Sequence, residues 1–202
     1  MLMEMTVRDF LQELASDLPA PGGGSVSALA GALSAALVSM VAQLTPDQQP
    51  AQKDILGKAA DLMAVLERDV DADTEAFNKV MDAYRLPKQT AAEKEKRSQV
   101  IQQALQGAAL HPMKVARECL DVLRLCSWAA AEGNPNALSD AGVAALLAQS
   151  GVRGALYNVE INLSSIKDQQ FKEGLTGEKE EILKESAQLQ QEMDNILNNK
   201  LA

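Results

Sequence analysis

Few residues in this chain have the type and spacing that chemistry requires, and Asp140 stands first among them. It follows Ser139 and precedes Ala141-Gly142-Val143 in a run that is otherwise small and apolar. A carboxylate desolvated in such surroundings can hold a cation or shuttle a proton. Early in a helix, the same residue would equally complement the helix dipole. His111 is the sole histidine, which removes paired-imidazole zinc sites and a second His beside a catalytic one. Acid–base work therefore falls to carboxylates.

Four other stretches invite a ligand. Gly22-Gly23-Gly24-Ser25, after Pro19-Ala20-Pro21, is a loop feeding a helix. The unpaired N–H groups and positive dipole end of such a helix start suit a phosphate or carboxylate. The loop equally suits a sharp corner between packed helices, with Ser25 as an ordinary N-cap. Asn158, Asn162 and Ser165 recur at i, i+4 and i+7, one polar stripe on an otherwise apolar helix. Its amides need partners, either a polar ligand or neighbouring backbone. Asp73 and Phe77 pose the same question on a long helix. Arg85 and Lys88 flank Leu86-Pro87 at that helix's end, where they complement the dipole or reach an anionic tail.

These residues must be positioned by helices. The 202 residues are 47% apolar but only 3% aromatic, so the core is built from Ala, Leu, Val and Met. A net charge of -9 repels phosphate backbones and anionic membranes, which argues against nucleic acid as a partner. Cys119 and Cys126, the only cysteines, are seven residues apart. On one helix they would sit about 10 Å apart, too far to bridge. With no leader and no disulfide framework, the chain reads as a reduced cytoplasmic protein.

Thr6 to Leu18 reads as a short amphipathic helix opened by Thr6 and Asp9. No charge occurs between Leu18 and Pro46, and Ser25 to Leu44 has the length of a membrane span. Its five polar side chains and its acidic flanks, Asp17 and Asp47, instead predict a central helix. Ala28, Gly31, Ala32, Ala35 and Ala36 would allow neighbours to approach it closely. Helical periodicity covers 48–85 until Pro87 stops it. Thr90 caps the next helix, with Glu93 and Arg97 in pairing register, and Pro112 interrupts or kinks it before the apolar run from Val115 to Ala131. A turn at Gly133-Asn134-Pro135-Asn136 precedes a helix from Ser139 to about Phe171, and Thr176 opens the last. The expectation is one all-α domain over 1–202, a helical bundle of about seven to eight helices with the small-residue helices central.

Several of these stretches together resemble one family. Phe10-Leu11 and the run from Pro19 through Gly22-Gly23-Gly24-Ser25 to Leu33 closely resemble the opening of the formiminotransferase-cyclodeaminase C-terminal family. The similarity continues in order through Asp73, Ala76-Phe77, Tyr84-Arg85-Leu86-Pro87-Lys88, Gly133-Asn134, Ser139-Asp140-Ala141-Gly142-Val143, Asn158-Val159, Ile161-Asn162-Leu163 and Ile166-Lys167-Asp168. The resemblance implies an all-helical homodimer acting on one-carbon units of tetrahydrofolate. The activity would be that of formiminotetrahydrofolate cyclodeaminase or methenyltetrahydrofolate cyclohydrolase, with the folate as substrate and neither cofactor nor metal. The chain starts almost on the family's first helix and so resembles a stand-alone form.

On that resemblance Asp140 takes the electrostatic and proton-transfer role, and Asn158 and Asn162 hold the pterin edges. Gly22, Gly23, Gly24 and Ser25, together with Arg85 and Lys88, serve the glutamate tail, and Asp73 binds substrate. One departure stands out, since relatives commonly run into a Gly-Lys-Lys-type stretch where this chain has Pro46-Asp47-Gln48-Gln49-Pro50. The same residues serve attack by water and loss of ammonia, so both reactions stay open. A folate binder or helical scaffold without catalysis is the competing class, and retention of Asp140, the glycine loop and both asparagines counts against it.

Overall fold

The computed structural model describes residues 1–46 and 50–201. Its α-helices are α1 (Val7–Leu14), α2 (Gly23–Leu44), α3 (Pro50–Arg85), α4 (Ala91–Glu132), α5 (Leu138–Leu163) and α6 (Gln169–Leu201). Short 3-10 turns cover Leu2–Glu4 and Pro135–Ala137, and no strand occurs among the described residues. Helices α2, α3, α4 and α5 form a four-cornered bundle in which α2 packs on α3 and α5, and α4 closes the circuit between the same two. Helix α6 lies along the seam between α4 and α5.

Small residues set this packing. A Cβ at Gly31 on α2 would meet Cys119 Sγ at 2.6 Å, and one at Gly151 on α5 would meet the same sulfur at 2.7 Å. The two glycines let α2 and α5 close around a side chain of α4, the close approach the small-residue pattern predicts. Burial pushes both thiols up, Cys126 to about 12, so they are inert core residues, and both are free. Helix α2 is long and apolar enough to cross a membrane, and here more than half of it is buried inside the bundle.

The helix boundaries show which local signals held. Thr6 Oγ1 accepts from Asp9 N–H at 3.1 Å, and Thr90 forms a reciprocal capping box with Glu93. Arg97 does not pair with Glu93, which is turned back onto the backbone of Gln89 and Thr90. It donates instead to Tyr84 O at 2.9 Å and lies over the Tyr84 ring, tying the end of α3 to the start of α4.

Among the described residues the count is six α-helices, not seven or eight. Pro112 lies inside a continuous α4. The stretch expected to run to Phe171 stops at Leu163, and Asp168 accepts from Phe171 N–H at 3.0 Å to start α6. Thr176 therefore sits within a helix, and Ser165 falls in the connecting turn, off the polar stripe. Gln102 fastens that turn to α4, donating to Ser165 O and accepting from Lys167 N–H.

Candidate functional site

A cleft of about 360 Å³ opens where the start of α2, the middle of α3 and the end of α5 converge. Gly22, Gly23, Gly24, Asp73, Asn158 and Asn162 line it, so three separate stretches singled out in the sequence share one wall. Phe77, Ala76, Val80 and Ile161 supply its apolar side. A concave site of this size, mostly apolar with a few convergent polar groups, suits a planar heterocycle.

Asp73 organises the polar side. Its Oδ2 accepts from the backbone N–H of Ser25 at 3.0 Å and from the Ser25 hydroxyl at 3.3 Å. The first turn of α2 is therefore met by the protein's own carboxylate, where a substrate phosphate or carboxylate was expected. Gly22 is the N-cap residue and Ser25 lies buried two residues into the helix, so Ser25 is not the cap. Gly24 allows the arrangement, because a Cβ there would overlap the Asp73 carboxylate. One oxygen of Asp73 is thus fixed by two donors, and the residue lines the cleft.

The two asparagines are equally constrained. Asn158 Nδ2 donates to Gly154 O at 2.9 Å, one turn back on its own helix. Asn162 Nδ2 donates to Ala108 O and to Asn158 O, both at 2.9 Å. Asn162 thus spends both of its N–H groups on backbone, Asn158 spends one of its two, and each keeps its acceptor.

Other expected residues lie elsewhere. Asp140 sits in the first turn of α5, eighteen residues before Asn158, about 27 Å along the helix. It does not line the cleft of its own chain. Arg85, at the end of α3, is exposed and paired with Asp82 at 3.0 Å. Lys88, in the following loop, is exposed as well. The Pro46–Pro50 departure falls mostly on Asp47, Gln48 and Gln49, which lie outside the described residues.

Sequence reasoning missed a buried charged cluster one turn from the cleft. Asp69, one turn before Asp73, accepts from Lys114 Nζ at 2.8 Å on both oxygens. His111 Nδ1 lies 3.9 Å from the same carboxylate, and Glu118 pairs with Lys114 at 3.3 Å. Burial, with Asp69 beside it, pushes the Glu118 carboxyl up to about 8, against the pull of Lys114. The available signal was Lys114 and Glu118 at i and i+4, interrupting the apolar run of α4. Among the described residues, no three His, Cys, Asp or Glu side chains are grouped as a metal-ligand set.

The chain is similar to known proteins over most of its length. The profile of the family described as Formiminotransferase-cyclodeaminase matches residues 6–181. The chain is 40% identical over 202 residues to a methenyltetrahydrofolate cyclohydrolase of Methylorubrum extorquens, covering 97% of both. It is 36% identical over 178 residues to the formimidoyltransferase-cyclodeaminase of Mus musculus, covering 85% of this chain but only 33% of that protein. The crystal structure of formiminotetrahydrofolate cyclodeaminase from Thermotoga maritima superposes with a TM-score of 0.88 at 30% identity, covering all of both chains.

Proposed function

This chain belongs to the formiminotransferase-cyclodeaminase family, and on that premise we propose that it acts on the one-carbon unit between N5 and N10 of tetrahydrofolate. The first reading is methenyltetrahydrofolate cyclohydrolase, favoured by the relative that matches over nearly the full length of both chains. The second is formiminotetrahydrofolate cyclodeaminase, favoured by the full-length structural likeness. The observation that carries both is the cleft that Asp73, Asn158 and Asn162 line together with Phe77 and Ile161. It offers an aromatic face for a pterin and a preorganised carboxylate for a cationic carbon.

In the hydrolysis, water adds to the methenyl carbon and gives up a proton, forming a tetrahedral carbon. The bond from that carbon to N5 then breaks as N5 is protonated and the new hydroxyl releases its proton to solvent, leaving the formyl group on N10. In the deamination, N10 attacks the formimino carbon and ammonia leaves, forming the methenyl bridge. A fixed carboxylate serves either course, stabilising the cation and carrying the proton from the attacking group to the leaving one. Asp73, held by Ser25, fits that role within one chain. The folate is substrate, and these steps draw on no further cofactor or metal. A reduced, cytoplasmic setting is part of the same proposal, with both cysteines free.

Asp140 belongs to the reading through a second copy. Leu33 and Met40 on α2, with Val143, Leu146, Tyr157 and Ile161 on α5, form an exposed apolar face, Ile161 being 71% and Leu146 60% accessible. A face of that kind supports a homodimer. If α5 meets its two-fold mate antiparallel, the partner subunit's Asp140 comes to the cleft end of this chain. Arg85 and Lys88, outside the cleft, fit contact with the distal glutamate tail only.

The test follows the methenyl absorbance of purified protein. Loss of chromophore from methenyltetrahydrofolate, above spontaneous hydrolysis, identifies the cyclohydrolase, and its appearance from formiminotetrahydrofolate identifies the cyclodeaminase. Silence in both would leave a folate binder or scaffold. Asp73→Asn should lower kcat by about a hundredfold or more, and full turnover in that variant would remove Asp73 from the chemistry.

A further inference from the structure

Proline inside a helix removes one N–H from the ladder, so the carbonyl four residues earlier loses its partner. For Pro112 that carbonyl belongs to Ala108, which is buried and lines the cleft. An unpaired buried carbonyl is costly, and a donor from outside the helix is needed. Asn162 Nδ2 supplies it from α5 at 2.9 Å. The same nitrogen faces Asn158 O at 2.9 Å. An amide atom lying between two carbonyl oxygens must be the nitrogen, so the orientation of the Asn162 amide is settled by its neighbours.

We propose that Pro112 is a positioning residue: by freeing Ala108 O it engages the Asn162 nitrogen on backbone and leaves Oδ1 as the one polar atom that this side chain can offer a ligand. Asn158 adds a second amide oxygen, with one of its two N–H groups held by Gly154 O. Asp73 is acceptor-only when ionised. Asp73 and Asn162 thus offer oxygens alone, and the matching ligand surface beside them carries N–H donors. Resting on the folate reading above, the group selected is the donor edge of the reduced pterin, its 2-amino and N3–H groups, with the pterin carbonyl turned away. Acceptors left facing a ligand without those donors would stay unpaired, which is how such a site discriminates.

A double-mutant cycle tests the link without reference to folate. Asn162→Ala should lower the Tm by about 5 °C with Pro112 present, because Ala108 O is orphaned. In the Pro112→Ala background the backbone N–H restored at that position satisfies the carbonyl, and the same change should cost under about 2 °C. Asn162→Ser runs the same cycle with less loss of packing. Equal losses in both backgrounds overturn the proposal.

The second arm reads selectivity with 5,10-methenyltetrahydrofolate. Pro112→Ala should raise KM about tenfold with kcat within about twofold, and adding Asn162→Ala should raise it little further. An analogue carrying a methyl group in place of the 2-amino group should bind the wild-type protein at least tenfold more weakly, with much of that preference lost in Pro112→Ala. Additive KM effects, or an analogue bound as tightly as the parent, would count against this selection. A coupled stability cycle together with no folate turnover or binding in the wild-type chain would remove the folate reading and the pterin assignment, leaving the Pro112–Asn162 link standing.

Discussion

At Gly24 the absence of a side chain decides where Asp73 sits. The carboxylate approaches so closely that a Cβ would overlap it, and its neighbours are the backbone and hydroxyl of Ser25. Gly24→Ala should therefore push Asp73 off the Ser25 N–H, costing about 1–3 kcal/mol of stability and at least tenfold in turnover, as urea unfolding and the methenyl assay would show. Gly22→Ala, where a Cβ meets nothing within 4 Å, should cost much less in both. Glu118 carries a separate expectation. Its carboxyl is raised to about 8 in the folded chain, first by burial and then by Asp69, against an ordinary carboxylate range near 4.5. Between those values the folded state holds a proton that the unfolded state has lost, so stability falls as pH rises through that window. Glu118→Gln holds no titrating proton and should flatten this slope in Tm measured from pH 5 to pH 8.5. Asp69, Lys114 and His111 face the same cluster, and an unchanged slope would mean that Glu118 does not carry the effect.

At the scale of elements, the attachment of α6 shows which interactions dominate. Arg117 and Arg124 reach across from α4 to Glu178 and Glu185, yet both arginines are about half exposed. Exposed ion pairs contribute about 0–1 kcal/mol each, whereas Leu175, Ile182 and Met193 on the same helix are buried. Met193→Ala alone should cost about 2–5 kcal/mol, more than Arg117→Ala and Arg124→Ala together, in urea titrations. The reverse order would make α6 an electrostatic strap. Element by element, the sequence was readable wherever a signal is local. The Thr6 and Thr90 caps, the glycine-to-helix entry of α2 and the stop before Pro87 all follow from adjacent residues. It misled where a partner distant in the chain compensates. Pro112 does not break α4 because Asn162, fifty residues later, satisfies the freed carbonyl. Thr176 does not start a helix because Asp168 has already done so. The same limit applies to the site: Asp73, Asn158 and the glycine loop were recognisable as types, but that Asp73 fills the α2 N-terminus emerges only when α3 is laid against α2.

For the whole molecule, the distribution of candidate residues between two ends of α5 bears directly on assembly. Asp140 and Asn158 lie about 27 Å apart on that helix, too far to act on one carbon within a chain. The apolar residues between them, Val143, Leu146 and Tyr157, are exposed. An antiparallel pairing of two α5 helices would cover that face and bring each Asp140 to the other chain's cleft, making two sites that each draw on both subunits. Leu146→Glu should then yield a monomer by light scattering, with turnover lost although Asp73 and Asp140 are both intact. Complementation gives the sharper outcome. Asp73→Asn and Asp140→Asn should each be nearly inactive as homodimers. In a heterodimer of the two, one site combines an intact Asp73 with the partner's Asp140, and the other site carries both changes. Random exchange of equal amounts makes about half the dimers mixed, each with one working site, so about a quarter of wild-type turnover should return. No recovery after verified subunit exchange would mean that each chain works alone, with Asp140 confined to the dipole of its own helix.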